Sequence, residues 1–213
     1  PALVRAAENS EMDRILQHSI TYALIEIGKP IDLSKFAVKK HTPMLDRIVT
    51  IANDQMPDSH VSPVKVIPWL TSKEPLLKET ANWLVGRHAN WGDDLAGYLR
   101  DRLATKGLSN DDRAELIAHL SQFAGNSAIQ EMLASNAAAS GVGVTPAARQ
   151  IVLEAMRGSG LKELPATWLQ PLILILAEGD ATLLPLAIGT LRALPVKGAT
   201  DELKAALLRV AGD

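Results

Sequence analysis

Trp83, Arg87, His88 and Trp91 form the densest group of chemically capable side chains in this sequence. Indole faces beside a guanidinium and an imidazole can make an aromatic-cationic recognition patch. The same four residues can equally be structural. Trp83 and Arg87, at i and i+4, would stack on one helix face, while His88 and Trp91 pin two helices at a corner. Trp anchors are common where helices cross, so the structural reading takes precedence. It predicts a buried Trp83 whose replacement by Ala costs about 3–5 kcal/mol. A second row, Arg14, His18 and Tyr22, recurs every four residues. It reads first as a buried, hydrogen-bonded row. The alternative sets His18, Tyr22, Arg87 and His88 around a ligand-binding or enzymatic pocket.

Other chemistry finds little support. There is no cysteine, which excludes disulfides, thiolate zinc sites, a Cys nucleophile and covalent haem attachment within these residues. His41 and His60 fall in loops, and only His119 has a carboxylate one helical turn away, Glu115. Two ligands do not make a site, so neither a metal nor a cofactor is expected. Gly141-Val142-Gly143-Val144-Thr145-Pro146 lacks the preceding strand and third glycine of a phosphate loop, and reads as a loop ending in a helix cap. Asp93-Asp94 and Asp111-Asp112 lie in first helical turns, where the dipole favours them. No residue is assigned a catalytic role.

The elements that must position these side chains read as helices throughout. Asp13 to Ile27 carries Leu16, Ile20, Ala23, Leu24 and Ile27 on one face and stops at Gly28-Lys29-Pro30. Asp32 opens a short helix to about Lys39. Thr42-Pro43, Ser62-Pro63 and Thr145-Pro146 are cap-then-proline starts, and Pro68 should bend the helix that Ser62 opens. Glu74-Pro75 begins the helix bearing Trp83, and Asn90 caps the next. Further helices start near Ser109, Asn126, Pro165, Asp180 and Thr200, the last with Leu203, Leu207 and Val210 facing inward. Residues 137–144, small and glycine-containing, are the most linker-like stretch and read as a flexible loop.

About eleven helices in antiparallel pairs, recurring every 35–45 residues, predict an all-α fold. The expected form is a HEAT/armadillo-like α-α superhelix over residues 1–213 as one domain. Such a solenoid offers a binding surface, so protein or neighbouring domains are the expected partners. A net charge of −2, with Lys35, Lys39, Lys40, Arg47, Lys65, Lys73 and Lys78 thinly spread, argues against nucleic acid. The longest apolar run, Leu172 to Ala177, is far too short to insert in a membrane.

Three stretches, Asp13 to Ile27, the Trp83-to-Trp91 corner and Leu164-Pro165-Ala166-Thr167-Trp168, together resemble a known family. It is the HEAT-like region of large multidomain bacterial proteins of the Planctomycetes–Verrucomicrobia group. That resemblance implies a parent joining a dehydrogenase-like β-propeller, this helical segment and a C-terminal cytochrome c with a C-x-x-C-H motif. The segment would be a non-catalytic scaffold or spacer in an exported, periplasmic or membrane-associated haem protein. A helix-like stretch already under way at Pro1 suits a piece of a longer chain.

Overall fold

The computed structural model of the chain describes residues 2–9, 12–35, 41–57, 61–138, 144–198 and 200–212. Lys39, Lys40, His60 and the glycines Gly141 and Gly143 lie outside them. Among the described residues the chain is all-α: twelve helices, three short 3-10 segments and no strand. It divides into two compact units, Pro1–His88 and Ala89–Asp213. The boundary falls inside the Trp83-to-Trp91 corner.

The first unit contains α1 (Ala2–Ala7), α2 (Arg14–Ile27), α3 (Pro43–Gln55), α4 (Pro63–Val66) and α5 (Pro75–Arg87). Asp13 caps α2 by accepting the Leu16 N–H at 2.8 Å, and Gly28 ends it in the left-handed conformation at φ 66°, which a side chain would strain. Thr42 accepts the Leu45 N–H and Pro43 opens α3, as the cap-then-proline signal requires. Ile20 and Leu24 of α2 join Met44, Leu45, Ile48, Val49 and Ala52 of α3 in a core shared with Val4 and Ala7 of α1. The Asn53 side chain clasps the Ile31 backbone at both ends, accepting its N–H at 2.8 Å and donating to its carbonyl at 2.9 Å. The loop after α2 is thereby tied to α3.

Several local expectations need correction. Leu16 and Ile27 are 46% and 57% exposed. The reason is that α2 packs mainly on α1 and α3, which cover a stripe narrower than the apolar face. The helix expected from Asp32 is a 3-10 turn at Leu33–Lys35, its remainder lying outside the described residues. Ser62 makes no side-chain cap, and the chain passes from α4 to a 3-10 segment, Ile67–Thr71, where Pro68 has no N–H to continue the α ladder. A 3-10 turn, Ala89–Trp91, takes the place of an Asn90 cap.

The second unit contains α6 (Gly92–Ala104), α7 (Asn110–Gln122), α8 (Ser127–Ala137), α9 (Pro146–Gly158), α10 (Ala166–Glu178), α11 (Leu184–Ala193) and α12 (Asp201–Gly212). Its packing is layered. In one row α6 touches α8, α8 touches α10 and α10 touches α12; in the other α7 touches α9 and α9 touches α11. Each helix of the first row except the last also packs on its successor in sequence. Leu99, Leu120, Phe123, Leu133, Leu153 and Trp168 are among the side chains this arrangement encloses completely or nearly so. Polar ties bridge neighbours within each row. Ser121 Oγ donates to the Ala155 carbonyl at 3.1 Å, Trp168 Nε1 to the Gln130 carbonyl at 3.1 Å, and Arg113 to Glu154 at 2.6 Å. These pairs lie 34, 38 and 41 positions apart, close to the repeat spacing expected. On α12 only Leu203 and Ala206 are buried. Leu207, expected inside, is 39% exposed, because α12 ends its row with one helix, α10, behind it.

Candidate functional site

In the first unit, residues from both chemical groups meet. A groove of about 340 Å³ opens between α2, α3 and α5. From α2 it is lined by Arg14, Gln17, His18, Thr21, Tyr22 and Ile25; from α3 by Arg47, Ile48, Ile51 and Gln55; and from α5 by Trp83. The 3.6-residue period explains the α2 set, since positions 14, 18, 22 and 25 fall along one face. Ile20 and Leu24 point to the core from another. His18 is therefore exposed and Tyr22 is 58% exposed, against the expectation of a buried row. Glu26, one turn on, hydrogen-bonds the Tyr22 hydroxyl and, by its charge, adds to the rise in the phenol's pKa.

Trp83 is likewise not the buried anchor expected. It is 40% exposed, with the Arg87 guanidinium carbon 4.7 Å from its ring centroid. The i, i+4 stack foreseen from sequence is thus present, but it stands at the surface and braces the indole at the groove. Arg87 and His88 do not line the groove. Both turn to Asp54 in the last turn of α3, whose side chain is only 2% exposed. His88 Nε2 lies 2.5 Å from Asp54 Oδ1, and Arg87 Nε donates to Oδ2 at 3.3 Å. A buried carboxylate needs such partners, and this one fastens the end of α5 to the end of α3. Trp91 is 4% exposed in the second unit.

Arg47 serves as both brace and lining. It donates to Thr80 Oγ1 at 3.1 Å and to Glu79 Oε1 at 3.2 Å. Asp54, Thr80 and Glu79 were not singled out in the sequence, although Arg47–Thr80 and Asp54–Arg87 both span 33 positions. A search for complementary polar residues one repeat apart would have found them. The groove lining includes two arginines and a histidine and no Asp or Glu.

Elsewhere, His41 Nδ1 stands 3.7 Å from Asp46 Oδ1. Burial raises the Asp46 pKa and His41 partly offsets it. His119 is buried in α7. Among the described residues no three His, Cys, Asp or Glu side chains gather as a metal ion would require. No described helix is long and apolar enough to cross a membrane. Comparison with known proteins finds no family model, no curated protein and no solved structure that matches the chain.

Proposed function

We propose that this chain is a non-catalytic helical-repeat scaffold of the HEAT/armadillo kind, mediating protein-protein or interdomain contacts. The observation that carries the reading is the two-row packing of α6 to α12, with polar ties recurring about one repeat apart. An array in which each helix is held by its neighbours keeps its outward faces for partners. The family resemblance adds a setting: a spacer or docking module beside the dehydrogenase-like propeller and cytochrome of an exported haem protein. The coding sequence on both sides of these residues tests that setting. A propeller segment upstream and C-x-x-C-H downstream support it; a start codon before Pro1 with a stop after Asp213 removes the setting and leaves the scaffold.

A second reading, a ligand-binding or enzymatic pocket, draws on the meeting of His18, Tyr22 and Trp83 at one groove. Arg87 and His88, spent on Asp54, count against the four-residue pocket foreseen from sequence. An NMR titration of His18 separates the two. Ordinary exposed-histidine behaviour favours the scaffold, and a strongly displaced titration favours a catalytic pocket.

A further inference from the structure

The groove of the first unit has a length and a charge that together select a partner. Its α2 wall runs from Arg14 to Ile25, a rise of about 16 Å. That is the span of three helical turns or about five extended residues, a long and shallow shape for a groove of about 340 Å³. Apolar surface follows the same wall. Tyr22 is 58% exposed on it and Trp83 40% exposed across the groove floor of Ile48 and Ile51, while Ile15, outside the lining, is 80% exposed beside Arg14.

The charged groups are arranged with one sign toward the opening. Arg14 has no ion pair among the described residues. Arg47 commits two donors to Glu79 and Thr80, which leaves three of a guanidinium's five N–H groups. Of the neighbouring acids, Glu79 is paired with Arg47 and Asp54 with Arg87 and His88, while Glu26 keeps its charge beside Tyr22 at the opposite end from Arg14 and Asp13 precedes Arg14 as the α2 cap. The lining is thus an aromatic-edged trough with no carboxylate of its own, in which Arg14 is the unpaired cation among the described residues and Arg47, though paired with Glu79, has N–H groups to spare.

We infer that the groove docks an acidic peptide segment of a partner protein, with an aliphatic or aromatic side chain against Trp83 and Tyr22 and carboxylates meeting Arg14 and Arg47. The inference rests on the scaffold reading and gives it a site and a partner chemistry. The Arg87–Trp83 stack then holds the indole in place for that apolar side chain, as buried aromatic anchors do at interfaces.

The test is panning of a random dodecapeptide phage library on the full chain, followed by fluorescence anisotropy with the enriched peptides. The expected peptides carry two or more Asp or Glu around a Leu, Phe or Trp. Their affinity should fall between 50 and 500 mM NaCl, and Arg14→Glu should weaken them about tenfold or more. Trp83→Ala should weaken them as well, and Arg192→Glu in the second unit should not. Arg14 is exposed, so its variant decides the matter even if Trp83→Ala proves unstable. No enrichment, enrichment of basic or uncharged peptides, or equal competition by free glutamate would overturn the inference. Acidic peptides indifferent to Arg14→Glu would also overturn it, while leaving the scaffold reading intact.

Discussion

Two tryptophans that look alike in the sequence should respond very differently to truncation. Trp168 is fully buried in the second unit, and its indole N–H donates to the Gln130 carbonyl at 3.1 Å. Truncation to Ala removes roughly 200 Å² of buried surface. At about 25 cal/mol per Å² that is about 5 kcal/mol, a ceiling because the unfolded chain already shields part of the ring. Core Trp→Ala changes of about 3–5 kcal/mol set the expectation. Trp83 keeps 40% of its surface in water, which lowers the same ceiling to roughly 3 kcal/mol. The open groove leaves no sealed cavity, and Arg87 retains its contact with Asp54. About 1–2 kcal/mol should remain. Urea unfolding of the full chain, followed by far-UV circular dichroism, measures both variants. If Trp83→Ala cost as much as Trp168→Ala, the indole would be a core anchor and the groove would not be open.

Glycines divide in the same way. A Cβ at Gly92 would stand 2.8 Å from the Asn126 Cβ, forcing that side chain off both the Ile129 N–H it caps and the Asp93 carboxylate it meets. Gly92→Ala should therefore lose about 1–2 kcal/mol. Gly86 in α5 has nothing within 4 Å of an added Cβ, and Gly86→Ala should gain about 0.5–1 kcal/mol; denaturant midpoints decide both. Asn53→Ala removes both clasps on Ile31 and should cost about 1–3 kcal/mol, with faster amide exchange at Ile31 as its local sign. Asp180 accepts the Leu183 and Thr182 N–H groups, which lowers its pKa. A depressed folded-state pKa contributes stability above the unfolded pKa and loses it as pH falls through the folded one. Asp180→Ala should thus lower the melting temperature at pH 7, and the gap from the parent should close in acid.

What could be read from the residues was mostly local. Caps and stops such as Asp13, Thr42, Asn126, Thr145 and Gly28 act through partners within four residues, so the helices were legible. Burial was less so. The apolar period of α2 gives a face, but which strip of it is covered depends on how many helices lie against it. Leu16 and Tyr22 on α2, and Trp83 on α5, read as inside for that reason and stand at the surface. The Arg87–Trp83 stack was legible because it is local. The Asp54 clamp was not, because its partners come from another helix 33 and 34 positions away. The recurring polar tie is the sequence signal that burial patterns alone do not carry.

A scaffold that presents its first-unit groove to a polypeptide should be caught with that polypeptide in place. A photo-crosslinking amino acid placed at Tyr22 in the full chain, and at Arg192 as a control, tests this in the cells that make the protein. Position 22 should give an adduct with an acidic stretch of a partner protein, lost with Arg14→Glu, and position 192 should give no such adduct. A small-molecule adduct at position 22, or none at all, would contradict this.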